Sequence, residues 1–66
     1  MPKVREAIRV VERDGWYHVR TSGSHRQFNH LVKPGVVTIA GHLGSDLPTG
    51  TWRRILKQAG LEGRER

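Results

Sequence analysis

Gly23, Ser24 and His25 place a flexible backbone position, a hydroxyl and an imidazole next to one another in the chain. An imidazole can accept or donate a proton near neutral pH, since its unperturbed pKa is about 6.5. The tripeptide lies in a stretch, residues 15–45, that holds basic side chains and all of the histidines but no carboxylate. This combination predicts a site where a phosphate backbone is held beside a proton-transfer group, with His25 as that group.

Positive charge surrounds this tripeptide and dominates the chain as a whole. The 66 residues include 12 Lys and Arg against 6 Asp and Glu, a formal net charge of +6. Such an excess favours an acidic partner, most often nucleic acid or an acidic protein. The candidate contacts to a phosphate backbone, chosen for charge, hydroxyl or backbone geometry, are Gly23, Ser24, Arg20, Arg26, Lys33 and Arg53.

Several residues near the tripeptide also have a purely structural interpretation. Gly23 is expected to serve backbone geometry, either a turn or a close approach of a phosphate backbone. Ser24 either donates to a phosphate or caps the turn locally, and the sequence leaves both open. His18, His30 and His42 are either second acid–base partners of His25 or ordinary surface residues.

A metal site is not expected. The histidine spacings match no zinc pattern, cysteine is absent, and the middle stretch offers no acidic co-ligand. We therefore predict no metal and no cofactor.

Hydrophobic spacing predicts the elements that must position these residues. Val4, Ala7, Ile8 and Val11 recur at helical spacing, and Gly15 follows as a helix-ending glycine. Aromatic and β-branched residues between turn signals indicate strands. The expected elements are a helix over residues 3–14, strands over 16–21, 25–31 and 36–40, a loop over 41–50, and a helix that ends at Gly60-Leu61 in a Schellman-type turn.

The order is helix, three strands, helix, an α+β arrangement. Two tight turns make the strands an antiparallel meander, and the apolar faces of both helices should cover the same face of the sheet. Phe28 should point to the helices and His25 to the open face or its rim. Arg20 and Arg26 are expected on or near that open face. Trp16 and Trp52 are expected in the core, as are Val37 and Ile39.

The length fits a single domain over residues 1–61 with a charged tail over 62–66. Cysteine is absent, and no apolar run approaches the length of a membrane span. We expect a soluble cytoplasmic domain with no membrane partner.

The chain resembles the HicA toxin family. The resemblance rests on the strand ending near Arg20, on Gly23-Ser24-His25 followed by Phe28, and on the closing stretch of residues 50–61, GTWRRILKQAGL. It covers about nine-tenths of the chain. The chain departs from the family at Ala40-Gly41-His42, where members often have a proline before a histidine-containing loop.

The resemblance implies a double-stranded-RNA-binding-domain-like fold of order α-β-β-β-α. It also implies an mRNA interferase toxin, an endoribonuclease whose catalytic histidine matches His25, with a HicB-like antitoxin that covers the active site. Two other readings remain open. One is a non-catalytic RNA-binding module with the same basic surface, and the other is a protein-interaction domain whose basic face meets an acidic partner.

Overall fold

The computed structural model describes residues 1–61 and has the order α-β-β-β-α. The elements are α1 (Val4–Arg13), β1 (Tyr17–Ser22), β2 (His25–Asn29), β3 (Val37–Ala40) and α2 (Thr49–Gln58). The predicted order is confirmed, and each predicted strand boundary differs from the observed one by two residues or fewer. The predicted tail over 62–66 lies outside the described residues.

The three strands form an antiparallel sheet in the order β1-β2-β3. On one face of the sheet, Phe28 of β2 pairs with Val37 of β3 and with His18 of β1. Phe28, Val37 and Ile39 are buried with the apolar faces of both helices. The chain therefore has a double-stranded-RNA-binding-domain-like α+β fold with both helices on one face, as predicted.

Trp16 contributes one of the largest buried side chains and confirms its predicted place in the core. Trp52 is only half-buried and packs against the core from its edge. Trp52 lies in the first half of α2, whereas the fully buried residues Ile55, Leu56 and Ala59 lie in its second half and at its C-cap.

The loop over residues 41–48 is fastened to the start of α1. The first turn of a helix leaves backbone amides without intrahelical acceptors. Here the amide of Val4 donates to the Ser45 carbonyl at 2.9 Å, and the amide of Arg5 donates to the Leu43 carbonyl at 3.1 Å. Lys3, just before the helix, adds an ion pair with Asp46 of the loop. The start of α1 therefore fixes the loop that follows β3.

The Schellman ending predicted for α2 is confirmed. Gly60 has a φ of +71°, and its amide donates to the Lys57 carbonyl at 3.1 Å. The amide of Leu61 donates to the Leu56 carbonyl at 2.8 Å, and the leucine packs back on the core. α1 ends in the same way at Gly15, with a φ of +102°. No helix within residues 1–61 is long and apolar enough to cross a membrane.

Val19 is an extra residue in β1, because the pairing with β2 shifts between His18 and Arg20. Such a bulge changes which side chains share a face. His18 and Thr21 are three residues apart, yet they lie on the same face, with 2.6 Å between Nε2 and Oγ1. The sequence pattern did not predict this bulge.

β2 ends at Asn29, two residues earlier than predicted, because the ring of His30 organises the loop that follows. Its Nδ1 accepts the backbone amides of Val32 and Lys33, each at 3.0 Å. Since Nδ1 accepts, Nε2 carries the proton and donates to the Asp14 carbonyl at 2.6 Å. His30 therefore joins the β2–β3 loop to the end of α1.

Candidate active site

Gly23 and Ser24 form the turn between β1 and β2, and both are exposed. Gly23 has a φ of +61°, and a Cβ at this position would meet no atom within 4 Å. The glycine therefore serves the left-handed turn conformation and leaves open space above it. His25, the first residue of β2, pairs with Ser22 of β1 and Ala40 of β3 and is exposed.

The open face of the sheet carries both His25 and Arg20. Alternation along β2 places His25 on the face opposite to the buried Phe28. Arg20 pairs with Gln27, which lies two residues from His25 on that same face. Arg20 is therefore a diagonal neighbour of His25, a separation that a long side chain can bridge. The predicted placements of His25 and Arg20 are confirmed.

Arg26 is not on the open face, and this expectation is wrong. It pairs with the buried Ile39 and lies two residues from Phe28, so its side chain projects from the helix-covered face. Its Nη1 donates to the Gly41 carbonyl at 2.8 Å, and the residue is half-buried. The two-residue spacing from Phe28 was the sequence signal that could have placed it correctly.

Lys33 is not near His25, and the structure does not bring it to the predicted site. Its Nζ lies 2.5 Å from a carboxylate oxygen of Asp14 and 3.0 Å from the Ala59 carbonyl. Asp14 follows α1 and Ala59 caps α2, so the ammonium joins the last turns of both helices. These contacts lie beside the β2–β3 loop, at the end of β2 opposite to His25 and the β1–β2 turn.

Residues 4–61 match the protein-family model described as HicA toxin of bacterial toxin-antitoxin. The chain belongs to the HicA toxin family. No curated protein gives a significant match. As a HicA toxin, the chain is the toxin component of a toxin–antitoxin pair, and a cognate antitoxin is its partner.

We call one end of this HicA toxin the His25 end. It comprises the β1–β2 turn (residues 23–24), the loop over 41–48 and the starts of α1 and α2. The loop reaches the turn through the Gly41 amide, which donates to the Ser24 carbonyl at 3.3 Å. α2 begins directly after the loop, with Pro48 as its N-cap residue, no capping side chain and no acidic residue in its first turn. The first turn of α2 therefore offers backbone amides with no acidic side chain of its own to accept them.

Arg53 is exposed in the second turn of α2, on the helix that starts at the His25 end. It therefore remains a candidate contact for a phosphate chain that passes this end. The carboxylate of Asp46, in the neighbouring loop, lies 2.7 Å from Nζ of Lys3. That hydrogen bond and the lysine charge hold the pKa of Asp46 below its usual value, so the carboxylate stays ionised and paired.

The other three histidines have different surroundings. His18 is hydrogen-bonded to Thr21 and lies edge-on to Phe28, with 5.6 Å between ring centroids, on the face opposite to His25. His30 holds the β2–β3 loop. His42 is exposed in the loop at the His25 end. Among residues 1–61, no three His, Asp or Glu side chains are grouped so that they could hold a metal ion.

Proposed function

We propose that this HicA toxin is a metal-independent endoribonuclease that cleaves mRNA, with His25 as a general acid or base. The observation that carries the proposal is the position of His25, exposed at the start of β2 beside an open turn and on one face with Arg20. An imidazole at such a place is accessible to a polynucleotide and can exchange a proton with it.

The proposed reaction uses the 2′-hydroxyl of RNA as the nucleophile. The hydroxyl oxygen attacks the adjacent phosphorus, the bond from phosphorus to the 5′ oxygen breaks, and a 2′,3′-cyclic phosphate and a 5′-hydroxyl end form. One proton leaves the 2′-hydroxyl and one joins the 5′ oxygen. A positioned imidazole can perform either transfer, an effect of about 10²–10⁴-fold on rate. Cations and backbone amides stabilise the charge that develops on the phosphate.

We propose that RNA crosses the open face at the His25 end. Arg20, Gly23 and Ser24 would contact the backbone beside His25, and Arg53 would contact it near the start of α2. Such contacts depend on salt and little on sequence. Arg26 and Lys33 are omitted from this surface, because both side chains bind other parts of the toxin.

The test is cleavage of a long single-stranded RNA in the presence of EDTA by the wild type and by His25→Ala. His18→Gln is the matched control, since His18 is also exposed but lies on the opposite face. We expect the wild type and the control to produce cyclic phosphate ends and His25→Ala to be inactive with RNA binding retained. Equal cleavage by His25→Ala would exclude His25 as the centre. If all three proteins bind RNA and none cleaves it, the RNA-binding module is favoured.

We further propose that the cognate antitoxin is of the HicB type, that it inhibits by covering His25, and that the pair acts in the cytoplasm, where mRNA is present. Diethyl pyrocarbonate modifies accessible imidazoles. Bound antitoxin should protect His25 from this reagent more than His18, as measured by mass spectrometry of peptides. Equal modification of His25 in the free and bound toxin would contradict occlusion.

A further inference from the structure

Gly41 is hydrogen-bonded through both its amide and its carbonyl, once to the β1–β2 turn and once to a side chain of β2. Its amide donates to the Ser24 carbonyl at 3.3 Å, and its carbonyl accepts Nη1 of Arg26 at 2.8 Å. Its φ of +109° lies in a region that L side chains rarely adopt, so the chain changes direction at this glycine. Gly41 is therefore fixed on its amide side by the turn that carries the candidate site and on its carbonyl side by Arg26.

These contacts determine where His42 lies. Ala40 is the direct partner of His25 across the β2–β3 ladder, and His42 follows Ala40 by two residues. The bond between Gly41 and Ser24 continues the contact between the two segments past the end of β3. His42 directly follows Gly41, so its backbone lies one residue beyond a hydrogen bond to the turn that carries His25. Of the histidines, His42 is the one whose segment is hydrogen-bonded to the Gly23-Ser24-His25 turn.

RNA cleavage through the 2′-hydroxyl involves two proton transfers, and a single imidazole supplies one at a time. His18 lies on the opposite face, and both ring nitrogens of His30 are occupied by backbone groups. We propose that His42 is the second proton-transfer group of the reaction and that Arg26 is a positioning residue that holds it through Gly41. This inference rests on the proposed ribonuclease function of His25.

The two imidazoles begin the step in different protonation states. One enters neutral and takes the proton of the 2′-hydroxyl as the new bond from oxygen to phosphorus forms. The other enters as imidazolium and gives its proton to the 5′ oxygen as the old bond to phosphorus breaks. After the step the first imidazole is protonated and the second is neutral. Proton exchange with water then returns both to their starting states. The charged groups around the loop include Arg26 from β2, Arg5 and Lys3 at the start of α1, and Asp46, which is paired with Lys3 and also lies near the N-terminal ammonium.

The first experiment measures the rate of RNA cleavage against pH for the wild type, His42→Ala and His18→Gln. The wild type and His18→Gln should give a bell-shaped profile with two limbs. His42→Ala should lose one limb and about 10²–10⁴-fold in kcat, with little change in RNA affinity. An unchanged profile and rate in His42→Ala would overturn the inference while leaving the function of His25 intact. Activity in His25→Ala would instead overturn the proposed function.

A substrate with sulfur in place of the bridging 5′ oxygen separates the two roles, because a thiolate leaves without a proton. If His42 protonates the leaving oxygen, the defect of His42→Ala should largely disappear on this substrate. If His42 takes the 2′ proton, the defect should persist and His25→Ala should be rescued instead. Either result supports two cooperating histidines. A defect in His42→Ala that is equal on both substrates, with no rescue of His25→Ala, would assign His42 a structural role.

Arg26 is tested by its effect on the same profile. Arg26→Gln shortens the side chain and removes its charge. Arg26→Lys keeps the charge but replaces the planar guanidinium with an ammonium. We expect both to lower kcat more than they raise KM and to weaken the limb that His42→Ala removes, with Arg26→Lys the milder. In the His42→Ala background, Arg26→Gln should have little further effect on kcat. Independent, multiplicative losses in the double variant would show that Arg26 does not act through His42.

Discussion

The ammonium of Lys33 lies 2.5 Å from a carboxylate oxygen of Asp14, and the two residues are 19 positions apart in the chain. The same ammonium donates to the Ala59 carbonyl at 3.0 Å. Both side chains of the ion pair are largely shielded from solvent, with 29% and 21% of their surface exposed. One lysine from the β2–β3 loop therefore stabilises the ends of both helices.

Acid should weaken this contact. The hydrogen bond and charge of Lys33 hold the pKa of Asp14 below its usual value of 3.8, although burial acts in the opposite direction. Because the folded-state pKa is the lower one, the stabilising effect is complete above the unfolded-state pKa. It is lost as the pH falls through the folded-state pKa. Urea unfolding at several pH values should show this loss below about pH 4.

Lys33→Met should reduce that pH dependence together with part of the stability. We expect a loss of about 1–3 kcal/mol at pH 7, because the Asp14 carboxylate loses a charged hydrogen-bond partner. The difference from the wild type should shrink in acid. The control is Lys3→Met, which breaks the exposed ion pair with Asp46 and should cost less. Equal losses in the two variants would contradict the stabilising role assigned to Lys33.

Gly41→Ala should strain the backbone at the His25 end. A φ of +109° is unfavourable for alanine, and the added Cβ would lie 3.4 Å from a methyl group of Val4. We expect a loss of about 1–3 kcal/mol in unfolding free energy. Gly50→Ala is the control, since Gly50 lies in α2 with open space around it, and should be neutral or stabilising. A Gly41→Ala protein as stable as the wild type would show that the loop adapts without strain.

RNA affinity should depend on salt through Arg20 and Arg53. Replacing either arginine with glutamine should lower affinity and reduce the slope of log K against log salt by about 0.7 for each lost contact with single-stranded RNA. Lys57→Gln is a matched control, because Lys57 lies in the last turn of α2, away from the His25 end. Titration of a fluorescent oligonucleotide at four salt concentrations gives the slopes. A decrease for Lys57→Gln equal to those for the arginines would indicate a diffuse charge effect without a defined surface.

His30→Ala should destabilise the fold without altering the reaction centre. The backbone amides of Val32 and Lys33 lose their shared acceptor, and the ring contact with Trp16 disappears. We expect a loss of about 1–3 kcal/mol in unfolding free energy. The cleavage rate per folded molecule should stay at the wild-type level. Wild-type stability in this variant would mean that solvent replaces the imidazole as acceptor at no cost.

Much of the fold follows from short-range signals in the sequence. Gly15 and Gly60 end their helices as predicted, because a left-handed residue lets the next amides turn back to the helix carbonyls. Alternation around Phe28 placed His25 on the open face, since β2 is regular over its whole length. Applied to Arg26, the same alternation predicts the helix-covered face, and the structure places the residue there.

The rest depends on contacts between distant parts of the chain. Nothing local to Lys33 indicates that its ammonium reaches Asp14 and Ala59, 19 and 26 residues away. The extra residue at Val19 has no turn or glycine signal to mark it. The position of Gly41 relative to Ser24 and Arg26 likewise depends on how β3 leaves the sheet. The catalytic role of His25 remains a prediction for the cleavage assay.

The bulge at Val19 has a consequence for solubility. β1 is an outer strand of the sheet, and all six of its residues are exposed. A straight outer strand offers unpaired amides and carbonyls to any passing chain, which leads to sheet extension and aggregation. The extra residue interrupts the repeat that a second strand would have to match. A toxin built in this way can expose a β-strand and still resist polymerising with its own copies.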